Sequence, residues 1–245
     1  MGEVYALKVR IKFSKSGSMK FIGHLDTMRY FQKAIRRANI DIAYSTGFSP
    51  HQIMSFAAPL GVGITSEGEY MDIEVNSTAS TQASVSALNA VMVPGFSVLD
   101  YRRLPDDAKT AMSIVACADY TLSYREGYEP DCTYEELCEG VHAFYEVPEK
   151  IEIVKQTKKS EKTIDLKQLV YHFKVLEVEG RPAFYLKVST GSTDNVKPEL
   201  VLEHFYKYLG LTWSDFTFCV HRHDVYAGSA ADGFYSLNDM GEVIE

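Results

Sequence analysis

VYALKVRIKFSKSGSMKFIGHLDTMRYFQKAIRRA, residues 4–38, changes its hydrophobic period halfway along. In the first part Val4, Ala6, Lys8 and Arg10 alternate with Tyr5, Leu7, Val9, Ile11 and Phe13, the period of two of a half-buried strand whose inward side carries Leu7, Val9, Ile11 and Phe13. SKSGS supplies turn formers. Leu25, Met28, Phe31, Ile35 and Ala38 then recur at three- and four-residue steps, which predicts one buried face of an amphipathic helix. Asp26, Arg29, Lys33, Arg36 and Arg37 fall on the opposite side.

Beyond this strand and helix, residues 44–52 (YSTGFSPHQ) are rich in turn formers, and MSFAAPLGVGITSEGEYMDIEV reads as a hairpin. TQASVSALNAVM predicts a second helix and FSVLDYRRL a further strand. The order strand, helix, strand, strand, helix, strand is the ferredoxin-like arrangement. MSIVACADYTLSY, TYEELCEGVHAFYEV (Thr133 at the cap, Glu136 three on), the hairpin LVYHFKVLEVEGRPAFYLKVST, the helix PELVLEHFYKYLGL and the strand FTFCVHRHDVYA repeat it. KIEIVKQTK adds a strand. The expectation is an α+β fold of two tandem ferredoxin-like units with antiparallel sheets. The first spans 1–108, the second 109–227, and a loosely ordered tail covers 228–245, with the break at LPDDAK.

Composition narrows the class without naming a function. The 245 residues are 46% hydrophobic and 24% charged, with 8 Pro and 16 Gly, which excludes disordered and low-complexity chains. No apolar run approaches the roughly 18 residues that span a bilayer. The start alternates and carries charge, so no membrane association and a cytoplasmic location are expected. Net charge is −8, distributed as +6 over residues 1–50, −11 over 51–150 and −3 over 151–245. A basic segment on an acidic body points to a local anionic partner, or to a solvated helix side. Cys117, Cys132, Cys138 and Cys219 form no CxxC pair, which fits reduced thiols rather than a zinc knuckle or redox dithiol. No closely spaced triple of cysteines is present to hold an iron–sulfur cluster. No cofactor and no metal is expected.

The run from FSKSGSMKFIGHLD through RR, YSTGFSPH and SEGEYMD, in that order, resembles a bacterial family of unknown function, the radical SAM-linked or radical SAM-associated proteins. The resemblance is dense over residues 10–75 and thinner at KTIDLKQLV and GSTDNVKPELVL. It implies association with a radical SAM enzyme, with no established activity for the family itself. GFSPHQ at residues 47–52 departs from the GFNPHP that family members often carry.

Several residues stand out as candidates for ligand binding. His24 and Asp26 open the predicted helix, where free N–H groups and the dipole favour an anion or a capping carboxylate, and His24 can also act as a general acid or base. Arg29, Lys33, Arg36 and Arg37 are spaced to follow a phosphate backbone, or simply to solvate the helix. Phe48 offers a stacking ring, His51 a hydrogen bond, and Gly47, just before them, can take a positive φ. Arg102 and Arg103 extend the same surface, although only one of two consecutive strand residues can face it. His221 and His223 share a strand face at a spacing metals use, without an evident third ligand. Lys155, Lys158, Lys159 and Lys162 read as a basic hairpin or loop, or as a nucleic-acid contact, and Asp165 as a cap for a short helix.

Three functional classes follow. The first is an accessory binding module that presents RNA or another anionic substrate to a partner radical SAM enzyme. The second is a metal-independent RNA-processing endonuclease using His24, and the third a purely protein-binding adaptor. A pI near 5.4 weighs against generic RNA binding.

Overall fold

The computed structural model describes residues 6–156, 161–191 and 194–245. Val4 and Tyr5 of the first predicted strand, and Lys158 and Lys159 of the basic hairpin, lie outside the described residues. The fold is mixed α+β, with a large, mostly antiparallel sheet and few helices. The strands are β1 (Leu7–Lys15), β2 (Met54–Phe56), β3 (Thr65–Val75), β4 (Phe96–Arg103), β5 (Cys117–Tyr124), β6 (Glu152–Gln156), β7 (Glu161–Asp165), β8 (Val170–Val178), β9 (Arg181–Ser189), β10 (Phe218–Ser229) and β11 (Gly233–Ser236). The helices are α1 (His24–Arg37), α2 (Thr81–Asn89), α3 (Ala111–Ile114), α4 (Tyr134–Val141), α5 (Leu166–Leu169) and α6 (Pro198–Tyr208). Among the described residues no helix is long and apolar enough to cross a membrane.

The chain divides into two compact units, one running to Ala116 and resuming at Arg222–Glu245, the other Cys117–His221. In the first unit β1 pairs antiparallel with both β3 and β4, and β2 pairs with β3, giving the order β4-β1-β3-β2. Val9, Ile11 and Phe13 of β1 meet Phe31 and Ile35 of α1 in its core. The later residues of β10 also lie beside β3, and β11 pairs with β10. At Gly68 on β3 a Cβ would collide with the His223 carbonyl oxygen and the Asp224 Cα, so this approach needs glycine.

Three expectations are corrected in this unit. The outer face of β1 is buried at Arg10, 2% exposed, which is covered by the turn over Leu237–Met240, to whose Leu237 carbonyl it donates at 3.2 Å. It also donates to both oxygens of its cross-strand partner Asp72, at 2.8 and 3.0 Å. Residues 228–245, expected to be loosely ordered, carry the end of β10, then β11 and that turn, with Leu237 fully buried. On α1 the buried positions are Thr27, Phe31, Ala34 and Ile35, while Leu25 is 61% exposed. Two successive steps of three residues rotate a side chain by about 120°, at 3.6 residues per turn, so Leu25 points away from the face that holds Phe31.

In the second unit the order is β10-β5-β9-β8, with β10 contributing its opening residues. Thr133 and Glu136 form a capping box at α4. Glu179 and Gly180 join β8 to β9 with φ of +53° and +75°, the left-handed pair a two-residue hairpin turn requires. β6 and β7 make a separate hairpin, after which Asp165 caps α5 by accepting from the Lys167 N–H.

Candidate functional site

The outer side of α1 displays four cations in sequence. Arg29, Lys33, Arg36 and Arg37 are all exposed, as the charged half of an amphipathic helix requires. Their charges are only lightly engaged. Arg29 stands 3.7 Å from Asp26 in a solvent-exposed pair, Arg37 lies over the Tyr30 ring at 5.9 Å, and Arg36 Nε donates to the Gln32 carbonyl at 3.3 Å. Asp26 caps nothing: the cap residue is Gly23, without a side-chain bond.

The loop 44–52 is pinned against this helix side. Tyr44 and Gln52 bridge its neck, and the Ser45 N–H donates to the His51 carbonyl at 2.8 Å. His51 Nδ1 lies 2.8 Å from Ser45 Oγ, so the ring is positioned by its own loop. Gly47 takes φ +120°, and Phe48 at the tip is fully exposed. Gln52 Nε2 donates at 3.2 Å to the Gln32 carbonyl, the same oxygen that receives Arg36 Nε. One backbone oxygen thus fixes the base of the aromatic loop beside an exposed guanidinium.

His24 belongs to a different place. Its ring meets Phe56 edge-on at a centroid distance of 5.2 Å, and it lines a cavity with Phe13, Lys15, Thr27, Phe56 and Glu69. Neither Phe48 nor His51 is a wall of that cavity, and eight residues of helix, about 12 Å, separate His24 from the Gln32 carbonyl. The expected extension by Arg102 is also corrected. Arg102 is the cross-strand partner of Arg10, on the face opposite α1, and its Nε donates to Asp100 at 2.7 Å. Arg103 is exposed, with its backbone bonded to Glu242.

The residues that sequence reasoning passed over are charged and buried. Lys15 is 2% exposed, Glu69 5% and Arg222 2%. Arg222 grips both Glu69 oxygens, at 2.8 and 2.5 Å, and donates to the Ala58 carbonyl at 2.8 Å. Lys15 Nζ donates to the Ile22 carbonyl at 2.7 Å. Burial holds its pKa below the ordinary lysine value, and the Arg222 charge adds to that against the opposing pull of Glu69. The signal lay in strand parity, since Lys15 continues the inward series of Phe13, and Glu69 that of Met71, Ile73 and Val75. On the same strand as Arg222, but toward solvent, His223 Nδ1 lies 3.3 Å from Glu67 Oε1.

Comparisons with known proteins give a family and little else. The chain is similar to a chain of a solved Cbf5-Nop10-Gar1 complex at 14% identity and TM-score 0.46, over 89% of this chain and 48% of that one. It thus spans about half the length of that chain. It is also similar to an unknown protein from Galdieria sulphuraria, at 15% identity and TM-score 0.25, over 84% and 91% of the two chains. No curated protein matches. The profile of one family, described as "Uncharacterized protein conserved in bacteria (DUF2344)", matches residues 8–198. That span takes in the cations of α1, the aromatic loop, Lys15 and Glu69, and the chain belongs to this family of uncharacterized bacterial proteins.

Proposed function

We propose that this protein is an accessory, non-catalytic module that binds single-stranded RNA and presents it to a partner enzyme. The observation that carries the reading is the shared Gln32 carbonyl, which seats the Phe48 loop beside Arg36 on a helix side that also displays Arg29, Lys33 and Arg37. Backbone phosphates supply affinity through such cations, and an exposed ring accepts any base by stacking. The strand orders β4-β1-β3-β2 and β10-β5-β9-β8 support reading each unit as ferredoxin-like, an architecture that serves RNA recognition in other proteins. The resemblance to radical SAM-linked proteins makes a radical SAM enzyme in the cytoplasm the proposed partner. The endonuclease reading has less support, because His24 stands in the Lys15 cavity, apart from the cations and the ring.

Fluorescence anisotropy with a labelled single-stranded RNA tests the proposal. Arg29→Gln with Arg36→Gln should weaken binding and reduce the salt slope by roughly 0.7 for each phosphate no longer neutralised. Phe48→Ala should cost about 1–3 kcal/mol of binding with the salt slope unchanged. Absence of binding by the wild type at low salt ends the proposal and leaves the adaptor reading.

A further inference from the structure

The cavity beside His24 is walled at one end by an ammonium group in an unusual setting. Lys15 lies at the inward end of β1, its side chain almost wholly out of water, and its hydrogen bond goes to the neutral carbonyl of Ile22. The carboxylate closest in charge, Glu69, has both oxygens gripped by Arg222. A lysine ammonium carries three N–H donors, and a buried cation held by a carbonyl alone is costly unless an anion completes its shell. The groups that face it are Glu69 from β3, Arg222 from β10 and His24 from α1. The cavity has a volume of about 10 Å³, room for one water-sized group.

We propose that this cavity is an oxyanion site: one oxygen of a small carboxylate or phosphate enters to meet the Lys15 ammonium, while the rest of the ligand stays at the mouth beside His24 and Phe56. An oxygen is the group that fits, being the size of water and an acceptor for the remaining ammonium N–H groups. His24 at the rim offers a ring nitrogen to a second oxygen. The site is independent of the RNA surface on α1, which uses other cations.

Thermal unfolding of the full chain at pH 8, in sodium phosphate, sodium acetate or sodium chloride at matched ionic strength, tests it. Wild type should melt higher in phosphate or acetate than in chloride, increasingly so with concentration. A rise in phosphate alone identifies a phosphate ligand and a rise in acetate alone a carboxylate. Lys15→Met should abolish the rise, whereas Arg29→Gln with Arg36→Gln should retain it even as RNA binding weakens. An equal rise in Lys15→Met, or no rise above chloride in wild type, overturns the proposal and leaves a water in the cavity. Should Lys15→Met fail to fold, the wild type still decides: the anion effect must fade as the pH is raised toward 10.5 and the ammonium loses its proton. An effect constant over that range overturns the site.

Discussion

The second unit fills its interior with rings, whereas the first threads charged side chains through its sheet. Phe205 is fully buried, with the rings of Phe144, Phe173 and Phe184 at 5.6, 5.3 and 5.7 Å. The first unit has a comparable aromatic pair, Phe13 on Phe31 at 4.6 Å, yet it also buries Arg10 against Asp72 and Arg222 against Glu69. Rings supply burial and edge-to-face contact, which is stability. Buried ion pairs roughly break even against well-packed apolar residues, so stability alone does not account for them. The unit that holds these two buried ion pairs also carries the cationic helix, the Phe48 loop and the Lys15 cavity.

The strongest way to break this contrast is to cut into both interiors. Phe205→Ala should destabilise by about 3–5 kcal/mol, as large ring truncations do. Arg222→Met should cost a similar ~3–5 kcal/mol, because both buried Glu69 oxygens lose their guanidinium hydrogen bonds. Urea unfolding separates the two cases through a second change. Adding Glu69→Leu to Arg222→Met should recover most of the loss, and a double variant as unstable as the single one would show that the pair is an irreplaceable part of the core.

A smaller effect comes from Lys15. Its folded pKa lies below the 10.5 of the unfolded chain, so between those two values the unfolded state binds more protons and stability rises with pH. The penalty is therefore greatest below the folded value and is relieved above it. The slope can reach about 1.4 kcal/mol per pH unit for one proton. Subtracting the Lys15→Met profile from that of wild type, which cancels the titrations the two proteins share, should isolate the rise. A flat difference would place Lys15 in water. The smallest effect belongs to the outer side of α1: Leu25→Ala should change stability by less than about 0.5 kcal/mol in the same assay. A drop of 2 kcal/mol or more would mean that Leu25 is buried after all.

Much of this is legible in the residues themselves, and the failures have specific causes. The period of two in β1 and the near-3.6 period of α1 locate both elements, since each follows from backbone geometry alone. Leu25 misleads because it has the apolar identity of a core residue without the angle of one. Lys15 and Glu69 keep the parity of their apolar neighbours, so their burial is readable. The ion pair is not, because Arg222 is 153 residues from Glu69 and the chain between says nothing of the meeting. Leu237 is hidden for a related reason: an isolated apolar residue among Gly, Ser and Asp has no period, and its burial depends on the far face of β1. Phe48 and His51 do lie on a loop, as their neighbours in sequence suggest, but that loop meets the Gln32 carbonyl of α1 rather than His24.

Arg222–Glu245 belong to the first unit, and this has a consequence for how the protein is made. Translation runs from the first residue to the last, so the unit begun earliest is the last to be completed. When β3 leaves the ribosome, the edge that β10 will cover is bare and Glu69 has no guanidinium. The 153 residues that separate Glu69 from Arg222 take roughly 8–30 s to synthesise at about 5–20 residues per second. Throughout that interval the nascent chain presents an unpaired strand edge, the kind of surface that recruits other chains. The second unit, by contrast, is an uninterrupted run of sequence and can close as soon as it emerges.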